Sequence, residues 1–272
     1  MTCFRRQLLV GGFFLALASA LAVMVHGRFQ RALPNYAYLT GWVLFSAIAL
    51  LAVYNARKKI PFLPLGSSEA WMQIHVYAGF FTVVLFLIHL NFHVPTGWFE
   101  GTLAWLYVLV TASGIAGLIL SRVLPRRLST RGGEVIYEKI PAIRSDLRQQ
   151  AEALVLDAET KSPVIAEFYV RQLNAFFAGP QKFWLHLLES RQPLNAVLVE
   201  LEELRRYLND QERAVLEKLA QLVRRKDGLD YHHALQTALK LWLFVHVPLT
   251  YSLLIFCLLH IVLVYAFSGG AR

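Results

Sequence analysis

The stretch His75–His89, HVYAGFFTVVLFLIH, decides the architecture of this 272-residue chain. It is an apolar run with a histidine at each end. The run His246–His260, HVPLTYSLLIFCLLH, repeats the pattern with the same thirteen intervening residues. Fourteen helical steps make nearly four turns, so the two histidines of each run return to about the same helix face, about 21 Å apart. Buried polar residues in helix contacts are the alternative, and two equally spaced pairs disfavour it.

Imidazole is a good ligand for haem iron, and a haem held between two helices takes one histidine from each. Two helices with matched pairs can therefore hold two haems, stacked across a bilayer. The predicted axial ligands are His75 with His246 for one haem and His89 with His260 for the other.

The composition predicts an integral membrane protein. Hydrophobic residues make up 56% of the chain, and the mean hydropathy is positive. That content is too apolar for an ordinary soluble domain. The formal charge of +9 does not indicate nucleic-acid binding, because no basic arm with interleaved aromatic residues is present and the excess charge lies beside apolar runs.

The predicted fold class is all-α, an integral membrane bundle of five spans. The first apolar run has about eighteen residues behind Arg5 and Arg6, which favours a retained anchor over a cleaved signal peptide. The five predicted spans, in chain order, are Leu8–Val25, Tyr38–Tyr54, Trp71–Val94, Thr102–Leu120 and Leu241–Phe267.

Lysine and arginine near the span ends predict the orientation. The N-terminus has two (Arg5, Arg6), the first loop two (Arg28, Arg31) and the third loop none. The second loop has three (Arg57, Lys58, Lys59, before a turn at Pro61 and Pro64), and the start of the fourth loop has four (Arg122, Arg126, Arg127, Arg131). On these counts the N-terminus, the second loop and the fourth loop lie on the more basic side. The positive-inside rule puts these segments in the cytoplasm of a cell membrane and the C-terminus outside. Spans three and five then run in the same direction, which brings His75 level with His246 and His89 level with His260.

A polar insertion of about 115 residues separates spans four and five, so we expect three segments: 1–121, 122–238 and 239–272. The insertion has nearly balanced charge and reads as four or five amphipathic helices. Helical spacing relates five apolar residues, Ile143, Leu147, Ala151, Leu154 and Ala158.

Local signals set the expected helix ends in the insertion. Ser162 with Pro163 predicts a helix start, and Gly179 with Pro180 predicts a stop. A break is expected at Asp227 and Gly228, with Asp230 capping a new helix that leads into the last span.

The insertion carries no dinucleotide fingerprint, P-loop or cysteine cluster. With only Cys3 and Cys257 and no C-x-x-C-H motif, covalently attached haem is not expected. His186, His232 and His233 are interpreted as structural or surface residues, since none has a ligand partner at a suitable spacing.

The four histidines in their apolar context resemble those of membrane dihaem b-type cytochromes, including the ferric reductase and NADPH oxidase transmembrane domains and respiratory cytochrome b. The resemblance covers about Trp71 to Phe267 without the insertion, and it implies two haem b groups with the four histidines as axial ligands. Two departures matter: no flavin- and nicotinamide-binding domain follows Phe267, and the helical insertion is foreign to the pattern. The chain therefore does not resemble a self-contained reductase.

Several neighbours fit a haem site, each with an alternative. Gly79, Gly114 and Gly117 leave room for a porphyrin or for close helix packing. His93 lies one helical turn after His89 and is a second candidate for the same role, as ligand or propionate partner. His26, Arg28 and Arg31 are candidate propionate partners or solvated loop charges.

We therefore expect a membrane b-type cytochrome that transfers electrons across the bilayer as a subunit of a redox complex, with no catalytic site of its own. Its expected partners are membrane lipid, a quinone or cytoplasmic redox protein on one side, and an outer-side cytochrome or similar carrier on the other. The alternative is a membrane scaffold or sensor whose insertion docks a cytoplasmic partner. A proton or ion transporter fits less well, because no Asp, Glu, Lys or Arg lies within the spans to form a relay.

Overall fold

Five long helices form the membrane part of the protein. The computed structural model describes residues 2–33, 35–57, 67–129, 135–156 and 162–268. Five helices are long and apolar enough to cross a membrane: α1 (Thr2–Phe29), α2 (Tyr36–Arg57), α3 (Ser68–His89), α4 (Trp98–Leu128) and α10 (Asp210–Ser268). No strand occurs among the described residues, so the predicted all-α fold with five spans is confirmed. Lys58, Lys59, Pro61, Pro64, Ala158 and Arg131 lie outside the described residues.

The chain divides into two compact units. Residues Met1–Leu118 and Trp242–Arg272 form the first, which we call the membrane unit. Residues Ile119–Leu241 form the second, which we call the insertion unit. The three-segment domain assignment remains a prediction, because a compact unit within one chain does not demonstrate independent folding.

The membrane unit turns apolar side chains outward. Leu9 and Phe13 on α1 and Leu50 on α2 are exposed, as expected for helices whose solvent is lipid. Its interior holds a cluster of buried residues from four helices, which is smaller than the core of the insertion unit: Leu44, Ile48, Leu85, Tyr107 and Leu253.

A sharp stop ends α3 at His89. Ser67 caps the start of the helix by accepting a hydrogen bond from the Ala70 amide. After the helix, Asn91 and Phe92 take positive φ angles of 50° and 58°. The Phe92 amide bonds back to the Leu87 carbonyl, as at a helix C-terminus. The third span therefore does not continue as helix to residue 94, as the hydrophobic run had predicted.

The insertion unit is built from short helices that pack on the first half of α10. They are α5 (Ile140–Leu156), α6 (Pro163–Phe168), α7 (Asn174–Ala178), α8 (Phe183–Leu187) and α9 (Gln192–Leu204), with a π-helical turn at Tyr169–Leu173 and 3-10 turns at Tyr137–Lys139 and Arg205–Tyr207. Leu147 and Ala151 of α5 are buried in the main core, as their spacing predicted. The predicted start at Ser162–Pro163 and stop at Gly179 are confirmed.

The predicted break at Gly228 is wrong. The helix α10 continues through Asp227, Gly228 and Asp230 without interruption. Asp230 is not a cap, because its carboxylate pairs with the ammonium of Lys226 one turn earlier. A glycine inside a helix costs about 1 kcal/mol relative to alanine, and burial of the neighbouring residues offsets that cost.

Candidate functional site

Each of the four paired histidines lies near its predicted mate. The ring centroids of His89 on α3 and His260 on α10 are 6.5 Å apart, with the ring planes at 88°. His75 and His246 are close enough to interact electrostatically. The structure thus brings together the residues that the equal spacing paired, while their role as ligands remains a prediction.

The separation of His89 and His260 suits two imidazoles that share one metal ion. Metal–nitrogen bonds of about 2.0–2.1 Å, added to the distance from each ring centre to its nitrogen, put the two centroids about 6.3 Å apart. The observed separation is 6.5 Å. The separation of the ring centroids therefore matches that of two histidines on one metal ion.

A hydroxyl group orients the His89 ring. Thr40 Oγ1 on α2 lies 3.2 Å from His89 Nδ1, and the Thr40 hydroxyl donates its own hydrogen to the Ala37 carbonyl at 2.9 Å. The Thr40 oxygen is therefore left to accept a hydrogen bond from Nδ1–H of His89. This assignment places the lone pair on Nε2, the atom that a metal would bind.

His246 has a corresponding partner on α4. Ser113 Oγ lies 3.2 Å from His246 Nδ1. Trp242, one turn before His246, stacks on the imidazole at a centroid distance of 5.4 Å and donates its indole N–H to the Ser113 carbonyl at 2.8 Å. The ring is thus held from two sides.

The two hydroxyl residues precede glycines that face the same histidines. A Cβ at Gly41 would lie 3.0 Å from His89 Cε1, and one at Gly114 would lie 3.6 Å from His246 Cε1. Thr40–Gly41 on α2 and Ser113–Gly114 on α4 therefore repeat one local arrangement. The sequence interpretation missed Thr40 and Ser113, although two hydroxyl–glycine dipeptides in apolar helices were a visible signal.

The remaining two histidines are held by aromatic rings. His75 lies 5.1 Å from the ring of Tyr54, and the backbone of Leu51 approaches its imidazole. Its Nδ1 is buried and has no well-formed hydrogen bond to the described residues. His260 stacks on Phe99 with centroids 6.2 Å apart and planes at 17°.

A cavity of about 330 Å³ adjoins His89 and His260. Its volume lies within the range of small-molecule pockets, about 300–1,000 Å³. Four helices supply its mainly apolar walls, among them Gly41, Leu44, Ile48, Phe86, Leu103, Tyr107, Leu253 and Cys257, while Glu100 contributes a carboxylate. An apolar wall beside two imidazoles is suited to a large, flat, hydrophobic cofactor.

The three candidate glycines have different surroundings. Gly114 faces His246, as described. The position of a Cβ at Gly117 is taken by the indole of Trp242, so this glycine serves helix packing. A Cβ at Gly79 would meet nothing within 4 Å among the described residues, which is compatible with room for a cofactor.

The structure does not support His93 as a substitute for His89. His93 lies beyond the end of α3, and its Nδ1 is 2.6 Å from the Asn91 carbonyl. It is therefore not on the helix face of His89, contrary to the sequence interpretation. His26 is buried between Tyr36 and Phe92, with centroid distances of 5.6 Å and 6.0 Å, so it is not a solvated loop residue.

The insertion unit contains a buried ionic cluster that the sequence interpretation missed. The Lys226 ammonium bonds to the Asp230 carboxylate at 2.5 Å and to the Gly179 carbonyl at 2.9 Å. Arg144 lies 3.7 Å from the other Asp230 oxygen. Burial lowers the pKa of the Lys226 ammonium, and the Asp230 carboxylate opposes that effect. The cluster joins α5, the end of α7 and α10.

His186 also has an acidic neighbour. Its Nε2 is 3.9 Å from Asp227 Oδ1, and both side chains are buried. The sequence interpretation gave His186 no such partner, since 41 residues separate the two. Their proximity follows from packing of α8 against α10.

Among the described residues, no group of three or more His, Cys, Asp or Glu side chains is arranged to hold a metal ion. The two histidine pairs are thus the clearest candidate ligands in this part of the chain. No protein-family model, curated protein or solved structure matches the chain.

Proposed function

We propose that this protein is a membrane b-type cytochrome that binds two haems and transfers electrons across the bilayer as a subunit of a redox complex. The observation that carries the proposal is the approach of His89 and His260 to 6.5 Å, at one end of two equally spaced histidine runs. If the approach of His89 to His260 were accidental, nothing would require a second histidine fourteen positions earlier on each of the two helices.

The side chains have distinct roles in this proposal. His89 and His260 ligate one haem, and His75 and His246 ligate the other. Thr40 accepts a hydrogen bond from Nδ1–H of His89, which keeps the proton on Nδ1 and leaves Nε2 free for the iron. Bound haem supplies the reversible one-electron chemistry. With histidine on both axial positions, neither iron has an open site for oxygen, so we expect electron transfer without substrate chemistry.

The distance between the two sites supports transfer across the membrane. Fourteen helical steps of α3 lead from His75 to His89, a rise of about 21 Å along the axis. The hydrocarbon core is about 30 Å thick, so the two sites lie in its opposite halves. Electrons then need a partner at each face: a quinone or cytoplasmic redox protein at one and an outer-side carrier at the other.

The proposed orientation places the N-terminus and the insertion in the cytoplasm and the C-terminus outside. The distribution of Lys and Arg supports it. In that orientation His75 and His246 hold the cytoplasmic haem, and His89 and His260 hold the outer one.

The test is a haem count on single-histidine variants. His260→Ala removes one ligand of the outer pair, and His246→Ala removes one ligand of the inner pair. We expect each variant to retain one of two low-spin b haems and to lose a different one, as judged by redox titration of the reduced spectrum. His93→Ala is the matched control, because it changes a nearby histidine outside both pairs.

Retention of both haems in His260→Ala or His246→Ala would contradict the pairing. Absence of haem from well-folded wild-type protein would favour the scaffold or sensor alternative, in which the insertion docks a cytoplasmic partner.

A further inference from the structure

The short helix α8 presents two large apolar side chains to solvent. Trp184 is 71% exposed and Leu188, directly after the helix, is 76% exposed. Single exposed apolar residues are common on soluble surfaces. Here a tryptophan on a five-residue helix and the leucine at its C-cap are four residues apart, which makes one small apolar face.

The chain holds this face outward. Lys182 and Glu189, on either side of α8, have left-handed φ angles of 51° and 58°. Such angles are unfavourable for residues other than glycine and persist only where the surroundings impose them. Arg127 of α4 supplies two of those contacts, to the Leu187 carbonyl at 3.1 Å and to the Glu189 carboxylate at 3.2 Å.

The helices that α8 contacts leave the membrane at this point. On α4, the stretch Gly101–Ser121 has no charged residue and spans about 31 Å, the thickness of the hydrocarbon core. Arg122 is the first charge beyond it. On α10, Lys240 is the last charged residue before the stretch Leu241–Ser268, which has no Asp, Glu, Lys or Arg. Arg122 and Lys240 both belong to the insertion unit.

The packing of Leu187 fixes the depth of α8. Leu187 contacts a buried cluster of Leu124, Tyr231 and Leu235, just beyond the charged residues that end the two spans. Arg127, which binds α8, is about 9 Å past Ser121 along α4. A headgroup layer is about 5–8 Å deep. An indole side chain is long enough to bridge the distance that remains between Arg127 and this layer.

We propose that α8 lies in the lipid headgroup layer, with Trp184 and Leu188 inserted at the boundary of the acyl chains. Tryptophan is enriched at this depth because its ring is apolar and its N–H is polar. Exposed basic residues flank α8 in sequence (Lys182 and Arg191) and lie on α4 within five residues of Arg127 (Arg122 and Arg126), and their charge is opposite to that of lipid phosphates. The occupant of this surface is the bilayer, which the same two helices already cross.

Spin labels on the full chain in lipid nanodiscs test the proposal. With Cys3→Ser and Cys257→Ala as background, Trp184→Cys and Leu188→Cys each receive a nitroxide. Val170→Cys is the control. Val170 is 67% exposed and lies in the same unit, but it follows Tyr169, which belongs to the unit's main core and not to the cluster that Leu187 contacts. The measured quantity is the ratio of the nitroxide's collision rate with oxygen to its collision rate with a water-soluble nickel chelate. We expect this ratio to be several-fold higher at positions 184 and 188 than at position 170.

Equal nickel accessibility at all three positions would overturn the proposal and indicate a surface left for a protein partner. A second measurement avoids the cysteine variants. Brominated phospholipid should quench the emission lost in Trp184→Phe relative to wild type, and an unquenched difference spectrum would also overturn the proposal.

Discussion

The two units of this protein expose opposite kinds of side chain, although both have apolar cores. The membrane unit exposes leucine and phenylalanine and keeps its polar side chains for a few specific contacts, above all around the histidines. The insertion unit does the reverse, with a leucine-rich core and a charged surface, yet it encloses Lys226 and Asp230. This difference predicts which mutations impair each unit most. In the membrane unit they are changes at polar groups, and in the insertion unit they are changes at both apolar and ionic groups.

The largest expected effect is loss of one partner of the buried ion pair. Asp230→Leu leaves the Lys226 ammonium, which is 0% exposed, without its carboxylate. Removing one partner of such a pair costs about 3–5 kcal/mol. We expect hydrogen exchange in α5 through α9 to rise sharply in the full-length protein.

The double variant Lys226→Met with Asp230→Leu is the matched control. It removes both charges, so it should recover part of the protection. Wild-type exchange in the single variant would mean that the ion pair does not stabilise the insertion unit.

The next effect contrasts two leucines. Leu219 in the insertion unit is 0% exposed, whereas Leu50 in the membrane unit is 57% exposed. Leu219→Ala leaves a cavity and should cost about 2–5 kcal/mol. Leu50→Ala opens no cavity, because lipid fills the space. Thermal unfolding in detergent compares them, and equal destabilisation would contradict the assignment of Leu50 to a lipid-facing surface.

A smaller effect concerns the hydroxyl groups beside the histidines. Thr40→Val removes the acceptor of His89 Nδ1–H. Loss of such an outer-shell partner typically weakens metal binding about 10–100-fold. Haem transfer to apomyoglobin should therefore be faster from the outer site only, and Ser113→Ala should do the same at the inner site.

Thr102→Val is the control for Thr40→Val. Its hydroxyl also lies on a membrane helix but bonds only to the Trp98 carbonyl among the described hydrogen bonds. An equal change in haem transfer in this variant would show that the effect of Thr40 is not specific to His89.

The smallest expected effect distinguishes two glycines. A Cβ at Gly41 would lie 3.0 Å from His89 Cε1, whereas one at Gly12 would meet nothing within 4 Å. Gly41→Ala should rotate or displace the imidazole by a few tenths of an ångström and change the electron paramagnetic resonance of one haem. Gly12→Ala should leave both signals unchanged, and identical spectra for the two variants would place His89 outside the ligand set.

Much of the membrane unit was predictable because lipid imposes a simple rule. A run of about twenty apolar residues spans the bilayer as a helix, whatever its detailed sequence. The equal histidine spacing then predicted which residues approach one another. Thr40 and Ser113 escaped notice because hydroxyl groups in membrane helices commonly bond to their own backbone, so their residue type alone does not reveal a tertiary contact.

The structure of the insertion unit was less predictable from the sequence, and the wrong or missing predictions for it have a common cause. Gly228 is a local signal for a helix break, but the helix continues because packing and the pair of Lys226 with Asp230 outweigh local propensity. The proximity of His186 and Asp227 depends on tertiary structure. Sequence periodicity identifies the faces of helices, but it does not tell which faces meet.

The measurement that tests the central claim most directly is the haem content of the purified full-length protein. A reduced-minus-oxidised visible spectrum identifies the haem type and spin state, and the pyridine haemochrome assay counts haem per chain. Two low-spin b haems per chain are the predicted result and would support His75, His89, His246 and His260 as the ligand set. Well-folded protein without haem, after expression with ample haem supply, would contradict the account.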